Sequence, residues 1–349
     1  MNILYLTPYN PNIKTPETGF AEQLSNRGHK ITFSFGYNPE LLKRAGEYDI
    51  VFGAMEYSMN MATWLGKKLN IPIYNHIEWI PPWRVGMEDP KDWGYDGTTI
   101  NKINEMAIQH WSPIYIQQAM DWENSTIRSI AGKCLKQYLE PWVTKPLKAE
   151  IKYYSADFER LKKYETTGIK EKNQIMSTAR LVPHKRIHHI INALSLLKNP
   201  PTYKVVGYGN EFPALRKLAE DLGVKVDFVG PGQNGVKELL IQESMFSINI
   251  WAGLPMAESF YYKKPAITYD EHHIREVFGK SPEYVERNNV KALAEKIQFM
   301  IDDKKYREEK GQKAYELMMG DKINMGTPNK LMECLERIMS KGIDIYERT

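Results

Sequence analysis

The stretch Ser177-Thr-Ala-Arg180-Leu-Val-Pro183-His-Lys185-Arg186-Ile187 runs from a short apolar segment, 175–179, through a turn into an amphipathic one. Pro183 suits the first position of a helix, where a missing N–H leaves no bond unmade. That placement puts His184, Lys185 and Arg186 in the first helical turn. There the helix dipole repels cations, and each exposed charge costs about 0.3–1 kcal/mol. A phosphate seated at the helix amino terminus accounts for the arrangement, with Arg180 supplying forked donors and Lys185 a point charge. Solvated surface cations are the alternative reading.

Outward from this stretch, short apolar runs alternate with longer amphipathic ones, the pattern of βαβ units and parallel sheet. Towards the carboxyl terminus, residues 203–206, 226–229, 246–250 and 266–269 read as strands, followed by helices over 290–302 and 304–319 that stop at Gly320. After Gly326-Thr327-Pro328 a last amphipathic helix is expected from about Asn329 to Ser340. Towards the amino terminus, residues 3–6, 31–35, 50–53, 73–76 and 151–154 read as strands. A helix between the first two is expected to open at Thr15-Pro16-Glu17, with Thr15 as cap. Strand order β-α-β implies right-handed crossovers, so loops at the strands' carboxyl ends share one edge. Residues 78–124 interrupt the pattern with a Pro-, Trp- and Gly-rich run, and no strand can be placed between Trp111 and Lys148. The polar stretch 164–172 reads as a linker, giving domains 1–168 and 169–325 and a carboxyl-terminal helical segment, 326–349, that packs back toward the first domain.

Composition limits the function classes. With 349 residues, 42% of them hydrophobic, the chain is long enough for two buried cores, and its formal charge of +4 is too mild for a nucleic-acid binder. Cys134 and Cys334 lie far apart in no metal-ligand spacing, so neither a disulfide framework nor a metal site is expected. Met1-Asn-Ile-Leu-Tyr-Leu-Thr-Pro-Tyr9 reads as a buried strand rather than a signal peptide, and no apolar run reaches the roughly 18–20 residues that span a bilayer. A cytoplasmic setting is expected, with peripheral membrane contact left open.

Three more strand-to-helix turns stand out. Val205-Val-Gly207-Tyr-Gly209-Asn-Glu211 carries two glycines, which allow close backbone approach to a ligand and serve equally as turn chemistry. Val229-Gly230-Pro231-Gly232 closes the next strand, as a structural turn or as the wall of a pocket for a flat base. In Trp251-Ala-Gly253-Leu254-Pro255-Met-Ala-Glu258, the glutamate is expected in the first helical turn, where it complements the dipole or accepts hydrogen bonds from ribose hydroxyls.

Taken in order, Arg-x4-Lys, Val-Gly-x-Gly, Gly-Leu-Pro-x-x-Glu, Lys264-Pro265-Ala-Ile and Ile274-Arg-Glu276-Val resemble glycosyltransferase family 4. The likeness is looser in the first half, through Asn26-Arg27-Gly28-His29, Asp49-Ile-Val, the run to His76, and Asp157. This resemblance implies an α/β GT-B fold, two Rossmann-like parallel-sheet domains facing across a cleft, and metal-independent transfer from a nucleotide-sugar donor with retention. It implies Arg180 and Lys185 on the donor diphosphate, the backbone at Gly253 and Leu254 with Pro255 against the phosphates, and Glu258 on the ribose. By the same likeness Gly207, Gly209 and Gly230 line the donor site, and His76 approaches the donor sugar. The donor is a substrate, and no cofactor or metal is implied. Trp79, Trp83 and Trp93 offer aromatic faces for a glycan, lipid or small-molecule acceptor.

Two positions depart from the family pattern: Ile250 stands where a second glutamate is usual, and the first loop is Tyr9-Asn-Pro-Asn-Ile-Lys14 rather than one with a Gly-Gly pair. A GT-B protein that binds nucleotide sugar or glycan without turnover is therefore a second reading, and a GT-B sugar-nucleotide epimerase a third. A nicotinamide-dependent oxidoreductase lacks its G-x-G-x-x-G after a first strand.

Overall fold

The computed structural model describes residues 1–7, 21–22, 24–35, 38–54, 56–77, 91, 120–121, 123–130, 150–151, 158–233, 235–251 and 253–320. The chain forms two compact units whose main boundary falls between Asp157 and Phe158.

The first unit is built on six parallel strands, β1 (Asn2–Thr7), β2 (Lys30–Phe35), β3 (Ile50–Ala54), β4 (Ile73–Ile77), β5 (Ile127–Ile130) and β6 (Glu150–Ile151), in the order β2-β1-β3-β4-β5-β6. Five of the six residues of β1 are buried, as expected of a strand covered on both faces. Alternation of side chains sorts them into two cores. On one face Tyr5 packs against Phe33 and Phe52, and Phe52 against Tyr74, so aromatic rings 4.5–5.7 Å apart tie four neighbouring strands together. On the other, Leu4, Leu6, Val51 and Ile73 pack with Leu41 and with Ala62, Leu65 and Leu69 of helix α1 (Glu56–Leu69). The buried Asn75 of β4 donates to Ser125 Oγ at 2.7 Å and to Thr63 Oγ1 at 3.0 Å, which fixes the carboxyl end of that strand. Strand β5 falls in the region where the sequence reading placed none; at four residues, Ile-Arg-Ser-Ile, it carries too little apolar pattern to be seen.

The second unit opens with helix α2 (Phe158–Lys163) and continues as β7 (Gln174–Thr178), α3 (Ile187–Ser195), β8 (Thr202–Val206), α4 (Phe212–Asp221), β9 (Val226–Gly230), α5 (Val236–Glu243), β10 (Ser247–Ile248), α6 (Gly253–Tyr261), β11 (Ala266–Tyr269), α7 (His272–Phe278), β12 (Glu283–Val285), α8 (Val290–Asp302) and α9 (Lys304–Met319). Its strands are parallel in the order β9-β8-β7-β10-β11-β12. Chain progression thus reverses between β7 and β10, and in such a sheet the carboxyl edge at the reversal is where ligands bind. One apolar core joins Ile187, Ile190, Ile191 and Leu194 of α3 to Leu293, Ile297 and Met300 of α8 across Ile175, Ile248 and Ile267 of the sheet. The ends of α8 and α9 are set by caps: Asn289 Oδ1 accepts from Ala292 N at 2.9 Å and Asp303 Oδ1 from Tyr306 N at 2.8 Å.

The boundary lies earlier than residue 168. Leu161 is fully buried, Tyr262 Oη donates to its carbonyl at 2.6 Å, and Phe158 lies 5.3 Å from the ring of Tyr261, so α2 belongs to the second unit. The polar stretch that follows it is largely exposed. Its polarity marks a surface connection within one unit rather than between two. The helix expected at residues 15–17 and the carboxyl-terminal segment 326–349 lie outside the described residues.

Candidate functional site

At the reversal point, the chain leaving β7 is pinned by backbone bonds from Ala179 N to Val206 O (3.0 Å), Leu181 N to Tyr208 O (2.8 Å) and Glu211 N to Leu181 O (3.1 Å). Two of the glycines in the neighbouring loop are required by this contact. A Cβ on Gly207 would fall 1.8 Å from the Ala179 carbonyl oxygen, and one on Gly209 2.3 Å from that of Leu181. Packing therefore explains both residues in full, and their effect is to hold Arg180 at the edge. The Arg180 side chain is exposed and makes no ion pair among the described residues.

The turn that follows differs from the sequence expectation. Pro183–Lys185 form a single 3-10 turn, and Arg186 takes the left-handed conformation (φ 53°, ψ 31°), so α3 starts afresh at Ile187. His184, Lys185 and Arg186 precede the helix instead of filling its first turn, and the dipole argument loses its force for them. What holds the cations is tertiary packing. His184 and Arg186 are buried, and Lys185, half-buried, donates from Nζ to the carbonyl oxygen of Trp251 just past β10.

Trp251 is itself left-handed (φ 53°), and its indole stacks on the His273 ring at 4.2 Å and 25°. Burial, and then the charge of Arg180, lowers the Lys185 pKa to about 7. Burial, then Lys185 and His272, lowers that of His273 to about 3. Burial with the charge of Arg186 likewise brings His188 to about 4, and burial with His188 and Arg186 brings His189 to about 3. His188, His189 and His273 are thus neutral at pH 7, while Arg180 and Lys185 repel each other. An anion between them would relieve that repulsion.

Helix α6 begins at buried Gly253, with Leu254 and Pro255 half-buried behind it. Glu258 is its sixth residue, past the first turn expected of it, so the helix dipole does not account for it. The buried carboxylate instead accepts from Lys237 Nζ at 2.6 Å (Oε1) and 2.8 Å (Oε2), and from Arg160 Nη2 at 2.6 Å. Arg160 also pairs with buried Glu238. Nothing in the local sequence signals this network, since Arg160 and Glu258 stand 98 positions apart. Gly230 ends β9 in the left-handed region (φ 81°) and accepts from Gly207 N at 2.7 Å. Ile250 is buried within the apolar core.

The second unit therefore brings Arg180, Lys185, Gly207 and Gly209 to one edge. His76 lies at the carboxyl end of β4 in the first unit, in register with Ala54 and Ser129, and half-buried. Trp79, Trp83, Trp93 and the loop 9–14 lie outside the described residues. Among the described residues no three His, Cys, Asp or Glu side chains gather as a metal site, and no helix is long and apolar enough to cross a membrane.

Two parallel, doubly wound sheets in succession make this an α/β chain of the GT-B fold. HepE of Anabaena, solved in complex with UDP and glucose, superposes with a TM-score of 0.71 at 14% identity, over 97% of this chain and 100% of that one. Sucrose-phosphate synthase of Thermosynechococcus elongatus gives a TM-score of 0.71 at 12% identity, over 98% and 100%. TarM of S. aureus, in a complex containing UDP, gives 0.60 at 14% identity, over 87% of this chain and 57% of that one. Residues 159–317, nearly the whole second unit, match the family model described as Glycosyl transferases group 1. No curated protein matches the chain.

Proposed function

We propose that this protein is a retaining glycosyltransferase of family 4 that needs no metal ion, working in the cytoplasm. It takes a UDP- or GDP-sugar on its second unit and a glycan, lipid or small-molecule acceptor on its first. The observation that carries this reading is the pairing of Arg180 and Lys185 at the strand-order reversal of the second sheet, where Lys185 is held near its titration point by burial and a neighbouring cation. Neighbours of the same fold solved with UDP lend support.

The chemistry follows from charge. As the bond between sugar and diphosphate breaks, negative charge grows on the leaving phosphate oxygens, and fixed cations stabilise that growth more than the ground state. Arg180 offers a planar fork to two oxygens and Lys185 a point charge to a third. The amino end of α6 at Gly253, Leu254 and Pro255 adds backbone dipoles. His76 is assigned to the donor-sugar side of the reaction. Binding without turnover is the second reading, favoured by the apolar Ile250. A transfer assay with nucleotide sugars separates the two.

Affinity for a nucleotide sugar should depend on pH in a defined direction. The free Lys185 ammonium titrates near 7, an anion raises that value in the complex, and the diphosphate diester itself keeps its charge. Affinity is then level below pH 7 and falls up to about tenfold per unit above it, with proton uptake on binding at pH 8. Calorimetric titration of UDP- and GDP-sugars between pH 6 and 9 measures this. A flat profile would remove Lys185 from the diphosphate, and no binding of either donor would remove the proposed function.

A further inference from the structure

Lys237 stands in the way of the simplest use of Glu258. An ionised carboxylate offers about two acceptor positions on each oxygen. Among the described residues, Oε1 already accepts from Arg160 Nη2 and Lys237 Nζ, both at 2.6 Å, whereas Oε2 accepts only from Lys237, at 2.8 Å. A carboxylate that grips both hydroxyls of a ribose uses a vacant position on each oxygen, and Glu258 has one on Oε2 alone.

Exposure points the same way. The Glu258 side chain is 4% exposed, that of Lys237 17% and that of Arg160 25%, so both cations lie nearer solvent than the carboxylate they hold, and of the two only Lys237 reaches Oε2 among the described residues. The ammonium has three protons, two of which are directed at Oε1 and Oε2. Its stem rises beside Gly232, where a Cβ on the glycine would lie 3.2 Å from Lys237 Cβ, in the loop that closes β9. Lys237 therefore stands between that loop and the carboxylate.

We propose that Lys237 is a ribose-contacting residue of the donor site. Its ammonium and Glu258 form a donor–acceptor pair that reads two adjacent hydroxyls, one hydroxyl donating to Oε2 and the oxygen of the other accepting from Nζ. The inference rests on the donor-site reading above and adds to it a requirement for a ribose diol.

Binding of uridine and guanosine diphosphates and of their 2′-deoxy and 3′-deoxy counterparts to the full chain tests it, in wild type, Lys237→Met and Lys237→Arg. Met keeps the stem that packs at Gly232. The wild type should lose about 10-fold or more in affinity for at least one deoxy analogue, the scale of one hydrogen bond to a charged group. In Lys237→Met the ribonucleotide should weaken by about 10-fold while the analogue lacking the hydroxyl that accepts from Nζ changes by less than about 2-fold, so that discrimination at that hydroxyl disappears. Equal weakening of both, or of neither, overturns the proposal. Should Lys237→Met fail to fold, Lys237→Arg decides, since a guanidinium keeps the ion pair with a different donor geometry. A wild-type ratio in that variant overturns the proposal. Binding without discrimination in the wild type sinks this inference and leaves the donor site standing; absence of any nucleotide binding sinks both.

Discussion

Lys185→Met should lower turnover by about 10²–10³-fold, the cost of losing one preorganised transition-state donor, and should at the same time raise the melting temperature of the nucleotide-free protein. The two effects have one origin. Burial and Arg180 bring the ammonium to a pKa of about 7, so a charge that costs the unfolded chain nothing is unfavourable in the folded state. Below pH 7 lysine is protonated in both states and the folded protein bears the whole cost. Between pH 7 and the ordinary lysine value the folded state sheds the proton first, and the cost fades as pH rises. The gain from Met is therefore largest below pH 7, about 2–4 °C for each 1 kcal/mol in a domain of this size. Arg180→Ala should match the loss of turnover with a smaller gain in melting temperature, since it removes only the repulsion and leaves the larger cause, the burial of Lys185, in place. Transfer assays alongside melting scans at pH 6 and 9 check both, and a Lys185→Met enzyme with normal turnover would end the assignment.

Gly207→Ala should destabilise the second unit by about 3–5 kcal/mol, a size reserved for backbone collisions and comparable defects. The new Cβ would sit 1.8 Å from the Ala179 carbonyl oxygen and 2.9 Å from its carbon, at a φ of 147° that only glycine adopts without strain. Relief by separation is closed, because Ala179 N is bonded to Val206 O at 3.0 Å and Leu181 N to Tyr208 O at 2.8 Å. Gly223→Ala is the control. Gly223 has φ 64° and no atom within 4 Å of a Cβ, so only the left-handed penalty of about 1–2 kcal/mol applies. Urea unfolding of the two variants compares them, and equal losses would show that the contact at Ala179 yields.

How far the sequence speaks depends on how local each signal is. Strands covered on both faces appear as apolar runs, so β1, β3, β7 and β11 are legible, and the helices Val290–Asp302 and Lys304–Met319 begin where Asn289 and Asp303 cap them. Strands β5, Ile-Arg-Ser-Ile, and β12, Glu-Tyr-Val, include charged residues that break the apolar run, so no pattern marks them. Lys185 lies in the turn between β7 and α3, as its sequence position suggests, but the local reason read for it does not hold. The left-handed Arg186 separates it from the helix, and a sequence carries no sign of a left-handed arginine. For Glu258 the residue is legible and its surroundings are not, because Arg160, Lys237 and Glu238 meet it only through the fold.

The attachment of α2 to the second unit governs where the chain can be divided. A fragment starting at residue 170 would lack Arg160 and leave two buried glutamates with one lysine between them, an uncompensated charge costing about 3–5 kcal/mol. A fragment starting a few residues before Phe158 keeps the neutralising arginine along with Leu161. Autonomous folding of the carboxyl-terminal half is therefore expected only from the longer piece.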